Sequence, residues 1–312
     1  MSLFDWLVTK MIPVTPKAVV RRVASRYVAG EELDDAVRVL KELQAEGCRG
    51  TLDVLGEFVT ERRQAEETAR AYVAALDAIS REALDSGVSI KLTAFGLDVA
   101  PGGDELCYQN ARMVVEKARS VGRFVRIDME NSPYTDRTIA VYKRLRADFA
   151  DVGIVLQARM KRTLADVATI LPWGPDFRIC KGIYLEPPEI AWTDGADINR
   201  AYLQALEAML RGGARVGIAT HDEALVEGAL KMVAELRTPA DRFEFQMLLG
   251  VQEGLRRRLR AAGHPVRVYV PYGRDWYGYS CRRLRENPAI AGHVVRAMFR
   301  RDRGPATPPR AT

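Results

Sequence analysis

Histidine is scarce in this chain: His221, His264 and His293 are the only three among 312 residues. Metal centres draw heavily on imidazole, so a histidine-rich metal site is not expected. Cysteine is thin as well. Cys48, Cys107, Cys180 and Cys281 lie far apart with no C-x-x-C, a pattern of reduced cytosolic thiols and not of a disulfide or zinc framework. No G-x-G-x-x-G occurs, which disfavours a Rossmann dinucleotide unit. No apolar run approaches the ~18 residues of a membrane span. Residues 1–10 lack a basic n-region and a long apolar core, so a signal peptide is not expected. A basic stripe is missing too. The net charge is +6, but the basic residues are interleaved with acids along the whole chain, which argues against nucleic-acid binding and fits plain solubility.

What is present is a large apolar fraction, 47% hydrophobic against 28% charged, ordinary for a soluble protein with a sizeable core. Residues 1–46 read as a helical arm. Val19, Val23 and Tyr27, then Ala36, Val39, Leu40 and Leu43, recur at helical spacing, and Gly47 is the expected C-cap. After Gly47 short β-like runs alternate with amphipathic stretches. Eight runs stand out: 51–55, 88–92, 124–127, 154–156, 177–180, 216–219, 243–246 and 266–270. Helical patterns over 61–84, 108–120 and 135–148 follow the first three. Eight βα units in roughly 250 residues is the arithmetic of a (β/α)8 barrel. A doubly wound open sheet is the alternative, and it would normally show a glycine-rich turn after its first strand. The expected division is an N-terminal arm over 1–46, a barrel over 47–299, and a basic, proline-rich, disordered tail over 300–312.

Barrel enzymes work at the C-terminal ends of their strands. Polar residues gather there in this chain: Glu57 after the first run, Lys91 in the second, Asp128 to Asn131 after the third, Gln157 and Arg159 after the fourth. Arg178 and Lys181 flank the fifth, Thr220, His221 and Asp222 follow the sixth, Gln246 closes the seventh and Tyr269 the eighth. Lys91 admits three roles: a desolvated Schiff-base nucleophile, a fixed cation for a substrate carboxylate, or the structural partner of a carboxylate such as Asp128. His221-Asp222 would suit a metallohydrolase only with further ligands, and the first strand offers no histidine.

The last run leads into an aromatic block with Tyr269, Tyr272, Trp276 and Tyr279 around the adjacent Arg282 and Arg283. Pro271 and Gly273 end the strand, and a helix then carries both arginines. Guanidinium forks bind carboxylates bidentately. Aromatic walls make a small dry pocket. The block therefore suits a small carboxylate with an apolar body.

Together, Lys91-Leu-Thr, Arg126-Ile-Asp-Met-Glu-Asn131, Gly153-Ile-Val-Leu-Gln157, Arg178-Ile-Cys-Lys-Gly182, Ala219-Thr-His-Asp222, Phe243-Glu-Phe-Gln246 and the block from Tyr269 to Asn287 resemble proline dehydrogenase, in its small monofunctional bacterial form. The chain is too short for the fused form with an aldehyde dehydrogenase domain. The resemblance runs from about Gly50 to Asn287. It implies a distorted (β/α)8 TIM-type barrel with extra N-terminal helices, a final helix over the barrel mouth, and FAD held without a Rossmann fold. It implies oxidation of L-proline to Δ1-pyrroline-5-carboxylate, with electrons passing to a membrane quinone.

Carried over residue by residue, the resemblance puts Asp128, Arg178 and Tyr269 at the reacting centre. Lys91, Arg282 and Arg283 would clamp the carboxylate, with Asp128 fixing an arginine or lysine of that clamp. Tyr269, Tyr279 and Leu248 would wall the ring. Met129, Gln157, Arg178, Lys181, Gly182, Ile183, Thr220, His221, Gln246 and Glu286 would line the FAD site. Glu57 falls where the family places a gate residue facing Arg282. Two positions depart from the family pattern: Cys180 replaces a commoner aliphatic residue, and Ile183 a common alanine. The resemblance further implies a cytoplasmic protein visiting the inner membrane surface, and product hand-off to pyrroline-5-carboxylate dehydrogenase. Three rivals remain at this stage: a Schiff-base lyase or aldolase using Lys91 or Lys181, a non-catalytic amino-acid sensor, and a basic nucleic-acid binder.

Overall fold

In the computed structural model, which describes residues 25–280, eight parallel strands close into one ring in chain order, each paired with its neighbours and β8 with β1. The strands are β1 (Arg49–Val54), β2 (Ser86–Ile90), β3 (Val125–Ile127), β4 (Val152–Gln157), β5 (Asp176–Cys180), β6 (Arg215–Ala219), β7 (Phe243–Leu248) and β8 (Val266–Tyr272). Helices α1 (Leu33–Ala45), α2 (Arg62–Arg81), α3 (Gly103–Ser120), α4 (Thr135–Asp148), α5 (Thr163–Ile170), α6 (Gly195–Arg211), α7 (Glu223–Glu235) and α8 (Glu253–Ala261) form the outer layer. The chain is a (β/α)8 barrel.

All eight expected strands are present, with shifted ends. β2 stops at Ile90, so Lys91 lies just past the strand and not within it; it caps a 3-10 turn over Leu92–Phe95. The cause is local. Thr93 donates its backbone N–H to the Glu130 carboxylate, which turns the chain out of the ladder. β7 extends to Leu248 and β8 to Tyr272, so Tyr269 lies inside its strand. β1 ends at Val54, short of Glu57.

Side chains alternate along a strand, and here the alternation separates hydrocarbon from charge. Val88, Ile90, Val125, Ile127, Ile154, Phe177, Ile179, Val216, Ile218, Phe245 and Val268 are buried in the single large apolar cluster shared with the helices. The opposite positions carry Asp53, which bonds Lys91, and Ser89, Arg126, Asp176, Arg178, Arg215, Glu244, Gln246 and Arg267, which bond to one another across the ring. Most such barrels fill the lumen with branched aliphatic side chains; this one fills it with an ionic ladder. Small residues make the room. A Cβ on Gly217 would lie 2.4 Å from Gln246 Nε2, and one on Gly153 would lie 2.4 Å from Arg126 Nη1.

α1 comes before β1 in sequence yet packs on both β1 and β8. Ala36, Val39, Leu40 and Leu43 are its buried face, as their spacing predicts. Gly50 allows the close approach, since a Cβ there would meet Leu40 Cδ2 at 2.2 Å. Gly47, at φ 74, ends the helix as expected. Val19, Val23 and the 300–312 tail lie outside the described residues, while Tyr27 sits in a turn.

At the N-terminal end of the lumen Glu244 meets Arg267 at 2.6 Å, Arg215 at 2.9 Å and Arg49 at 3.3 Å. Burial alone would raise its pKa, but Arg267 and Arg215 outweigh burial and hold the carboxyl well below the usual range. A depressed folded-state pKa stabilises the fold above the ordinary glutamate value and loses that contribution as pH falls below it. Glu244→Gln should therefore lower the unfolding free energy at neutral pH by about 1–3 kcal/mol, because it leaves partly buried guanidinium groups without their shared carboxylate. Its stability should also fall less steeply than the parent's from about pH 4.5 downward. Urea unfolding at a series of pH values reads both.

Candidate active site

The ladder ends at the C-terminal mouth in a compact hydrogen-bonded cluster. Lys91 Nζ lies 2.5 Å from Asp53 Oδ1 and donates to the Tyr269 hydroxyl at 3.2 Å. The Tyr269 hydroxyl donates to Asp128 Oδ2 at 2.8 Å. Asp128 Oδ1 accepts from Ser89 Oγ and from Arg178 Nη1, each at 2.7 Å. Arg178 Nε donates to Gln246 Oε1 at 2.5 Å, and Gln246 Nε2 reaches Glu244. The ring of Tyr269 lies between two cations, with Lys91 Nζ 5.9 Å and Arg178 Cζ 5.5 Å from its centroid.

Lys91 is thus paired with Asp53, not with Asp128. Asp128 fixes an arginine, and that arginine is Arg178. Burial pulls the Lys91 pKa down, but Asp53, Asp128 and Glu57 outweigh it, and the ammonium is held protonated well above its ordinary value. A permanent cation is a poor Schiff-base nucleophile. Burial first, then the neighbouring Asp128 and Asp53 charges, push the Tyr269 phenol well up as well, so it remains a neutral donor.

A second arc follows the ends of β4 to β7. Gln157 Nε2 donates to the Glu130 carbonyl at 2.8 Å. Gly182 sits at φ 94 with so little room that a Cβ would meet Gln157 Oε1 at 2.7 Å. Lys181 Nζ pairs with Asp222 at 2.6 Å, and Asp222 caps α7. Asp222 N–H donates to Thr220 Oγ at 3.1 Å. His221 Nε2 accepts from the Leu248 N–H at 2.9 Å, which leaves the proton of a neutral imidazole on Nδ1. Met129 is buried beside Asp128, and Ile183 is half-exposed on the loop after β5. Buried Arg159 Nε and Asn199 Oδ1 have no hydrogen-bond partner among the described residues.

The structure brings Lys91, Asp128, Arg178, Tyr269 and Gln246 into one bonded cluster, and sets Gln157, Lys181, Gly182, Thr220, His221 and Leu248 around it. Tyr279 is buried against Val28 and Leu55, with Trp276 beside it. Glu57 lies on the β1–α2 loop, close enough for its charge to be felt by Lys91 and Glu130. Arg282, Arg283 and Glu286 lie outside the described residues, and so does the Glu57–Arg282 pair.

Sequence reasoning missed Asp53, Ser89, Thr93 and Glu130. Asp53 is a lone acid in its strand, but its partner Lys91 lies on the next unit, so its role is visible only in the closed ring. Glu130 belonged to a quoted motif with no role attached. It is buried, and its carboxylate accepts from the Thr93 N–H at 3.0 Å and from the Thr93 hydroxyl at 2.5 Å. Burial raises its pKa to about 7, against the pull of the Thr93 bonds and Lys91.

Comparison with known proteins agrees with this geometry. The family pattern described as Proline dehydrogenase matches residues 36–296. The chain is similar to "Proline dehydrogenase" of Deinococcus radiodurans, 37% identical over 89% of this chain and 90% of that protein. It is also similar to "Proline dehydrogenase 1" of Bacillus subtilis strain 168, 33% identical over 89% of this chain and 91% of that protein. Among solved structures, proline utilization A (PutA) from Bdellovibrio bacteriovorus superposes with a TM-score of 0.80 at 23% identity, over 90% of this chain. The chain spans 34% of that longer protein, and this likeness concerns the fold alone.

Asp53→Ala should leave Lys91 as an uncompensated buried cation, at a cost of about 3–5 kcal/mol. Asp53→Ala combined with Lys91→Met should recover much of that loss, since both charges are then gone. Chemical unfolding of the two single variants and the double variant measures the coupling.

Proposed function

The chain belongs to the proline dehydrogenase family, and from that premise we propose that the barrel mouth uses FAD to oxidise L-proline to Δ1-pyrroline-5-carboxylate, with a membrane quinone as the final acceptor. The observation that carries the reading is the Asp128 junction. One carboxylate holds Ser89, Tyr269 and Arg178, while Lys91 grips the same Tyr269 hydroxyl from the other side. Two immobile cations therefore flank one aromatic wall at the mouth.

The residues present suit FAD. A polyanionic, hydrogen-bonding cofactor needs cations and donors, and the arc after β4 to β7 supplies Lys181, Arg178, His221 and Thr220. It also supplies a buried Arg159 N–H that has no partner among the described residues. Gly182 packs directly against Gln157 and so helps to fix that side chain in the proposed lining. Met129 and Leu248 would offer apolar contact. Ile183, Gln157, Gln246 and Glu286 complete the proposed lining. Bound FAD would supply the two-electron acceptor that no side chain provides.

The protein's share is position and charge. Lys91, Arg282 and Arg283 would hold the proline carboxylate, and Tyr269, Tyr279 and Leu248 would fix the ring. An anchored carboxylate would hold the ring in one orientation, so that the entropy of alignment is met on binding. Asp128 already accepts three hydrogen bonds and Tyr269 stays protonated, so neither serves as base. The amine proton goes to solvent, and the neutral amine is the reactive form. Glu57 facing Arg282 would gate entry. We place the protein in the cytoplasm with peripheral contact at the inner membrane, and with its product passed to pyrroline-5-carboxylate dehydrogenase. The Schiff-base alternative is disfavoured because Lys91 is held as a cation and Lys181 is ion-paired with Asp222.

The deciding experiment is the visible spectrum of the purified protein without oxygen, before and after L-proline. A flavin spectrum that bleaches supports both cofactor and substrate. A flavin spectrum untouched by proline removes the substrate, and a protein colourless even after reconstitution with FAD removes the reading. The bleaching rate should rise with pH through the ionisation of the bound amine, and a flat profile would contradict the assigned reactive form. Arg283→Lys should weaken proline saturation far more than FAD occupancy, because one ammonium cannot replace a planar fork. Titrations of the two ligands in parallel separate these effects.

A further inference from the structure

Glu130 has no part in the reaction just described, yet it is a buried carboxylate at the mouth. Its only two side-chain oxygens both turn to Thr93, one to the N–H and one to the hydroxyl. Thr93 in turn receives the neighbouring loop. Phe58 donates its N–H to Thr93 Oγ at 3.2 Å, and Val59 donates its N–H to the Thr93 carbonyl at 3.0 Å. Those two residues follow Glu57 directly on the loop between β1 and α2. Phe58 sits in the left-handed region at φ 56, which a residue with a side chain rarely adopts. Its ring is half-exposed and lies 6.1 Å from the Tyr134 ring. A strained, exposed loop segment needs something to hold it.

We propose that Glu130 is a positioning residue that, in its ionised form, holds the β1–α2 loop and Glu57 at the barrel mouth through Thr93. The relay has a direction. The Thr93 hydroxyl can accept the Phe58 N–H without conflict because its own proton points to a carboxylate. A protonated Glu130 carboxyl presents an O–H to the same hydroxyl, which then faces two donors and has lost its charged acceptor. Hydrogen bonds to ions are the stronger kind, so the latch slackens when the proton arrives.

The surroundings set where that happens. Lys91, on the turn after β2, favours the ionised form, and Glu57, on the loop itself, opposes it. Cys107 on α3 and Tyr134 after β3 also feel the Glu130 charge. Burial dominates and places the transition at about 7. The loop is therefore tied down on the alkaline side and loosened on the acid side, within the ordinary cellular range.

Backbone amide exchange on the full-length protein tests this without any ligand. Corrected for intrinsic rates, protection of the Phe58 and Val59 amides in the unmodified protein should fall roughly three- to tenfold between about pH 8 and pH 6, the size of one weakened hydrogen bond. Strand amides should not follow. Protection that stays flat over this range overturns the proposal, and this arm needs no variant. Glu130→Gln should abolish the pH dependence and leave Phe58 weakly protected throughout. Thr93→Val should expose Phe58 alone, and Thr93→Ser should restore it. Phe58 protection unchanged in Thr93→Val would also overturn the proposal. A kinetic arm rests on the proline reading: Glu130→Gln should raise KM for proline more than it lowers kcat. If proline fails to bleach the flavin, that reading fails while the exchange arm still decides the latch.

Discussion

Everything at the mouth hangs from a chain of charge that fills the barrel. Starting at Asp53, it runs through Lys91, the Tyr269 hydroxyl, Asp128, Arg178 and Gln246 to Glu244. From there Arg215 leads to Asp176 and Arg126. Most members are buried and the rest partly so, and each is tolerable because its neighbour is in place. Such a lumen contributes less net stability than an aliphatic one, since hydration is given up to build it. What it supplies is placement. A guanidinium bonded at Nε and Nη1 cannot swing, and an ammonium locked to a carboxylate and a phenol cannot either. The helices, packed on the other face of every strand, carry the hydrophobic stabilisation.

This division explains why Asp53 matters more than its position suggests. It makes Lys91 a fixed charge and removes it as a nucleophile. Tyr72 reaches Asp53 Oδ1 at 3.2 Å and the Ser89 carbonyl at 2.7 Å from the α2 side, so the outer helix layer is joined to the pair as well. On the proposed reading the redox chemistry would come from bound FAD, with the protein providing geometry.

Much of this was legible in the sequence, unevenly. The number of strands followed from hydrophobic spacing, because every strand buries an unbroken apolar face. The helix over Leu33–Ala45 followed from its period and Gly47. Strand ends were poorly read where polar side chains decide them: Lys91 follows β2 because Glu130 captures the next turn, a contact made across sequence. Asp53 was overlooked for a similar reason. Its partner stands 38 positions away and emerges only when the ring closes. Residue types at the mouth could be read, but which carboxylate holds which cation is a property of register. Both arginines of the aromatic block lie beyond Ser280, so the family resemblance alone speaks for them.

The placement of α1 has a consequence for synthesis. Its apolar face and one edge of β1 are completed by β8, more than 200 residues later in the chain. A ribosome therefore delivers the first pieces of the ring well before their partner exists. Until Val266–Tyr272 emerges, an unpaired strand edge and a greasy helix face remain open to water, the condition in which nascent chains associate wrongly. Ring closure is the slow, late and non-local event. A chaperone that shields this seam would be most useful for the period set by translation of the six strands between.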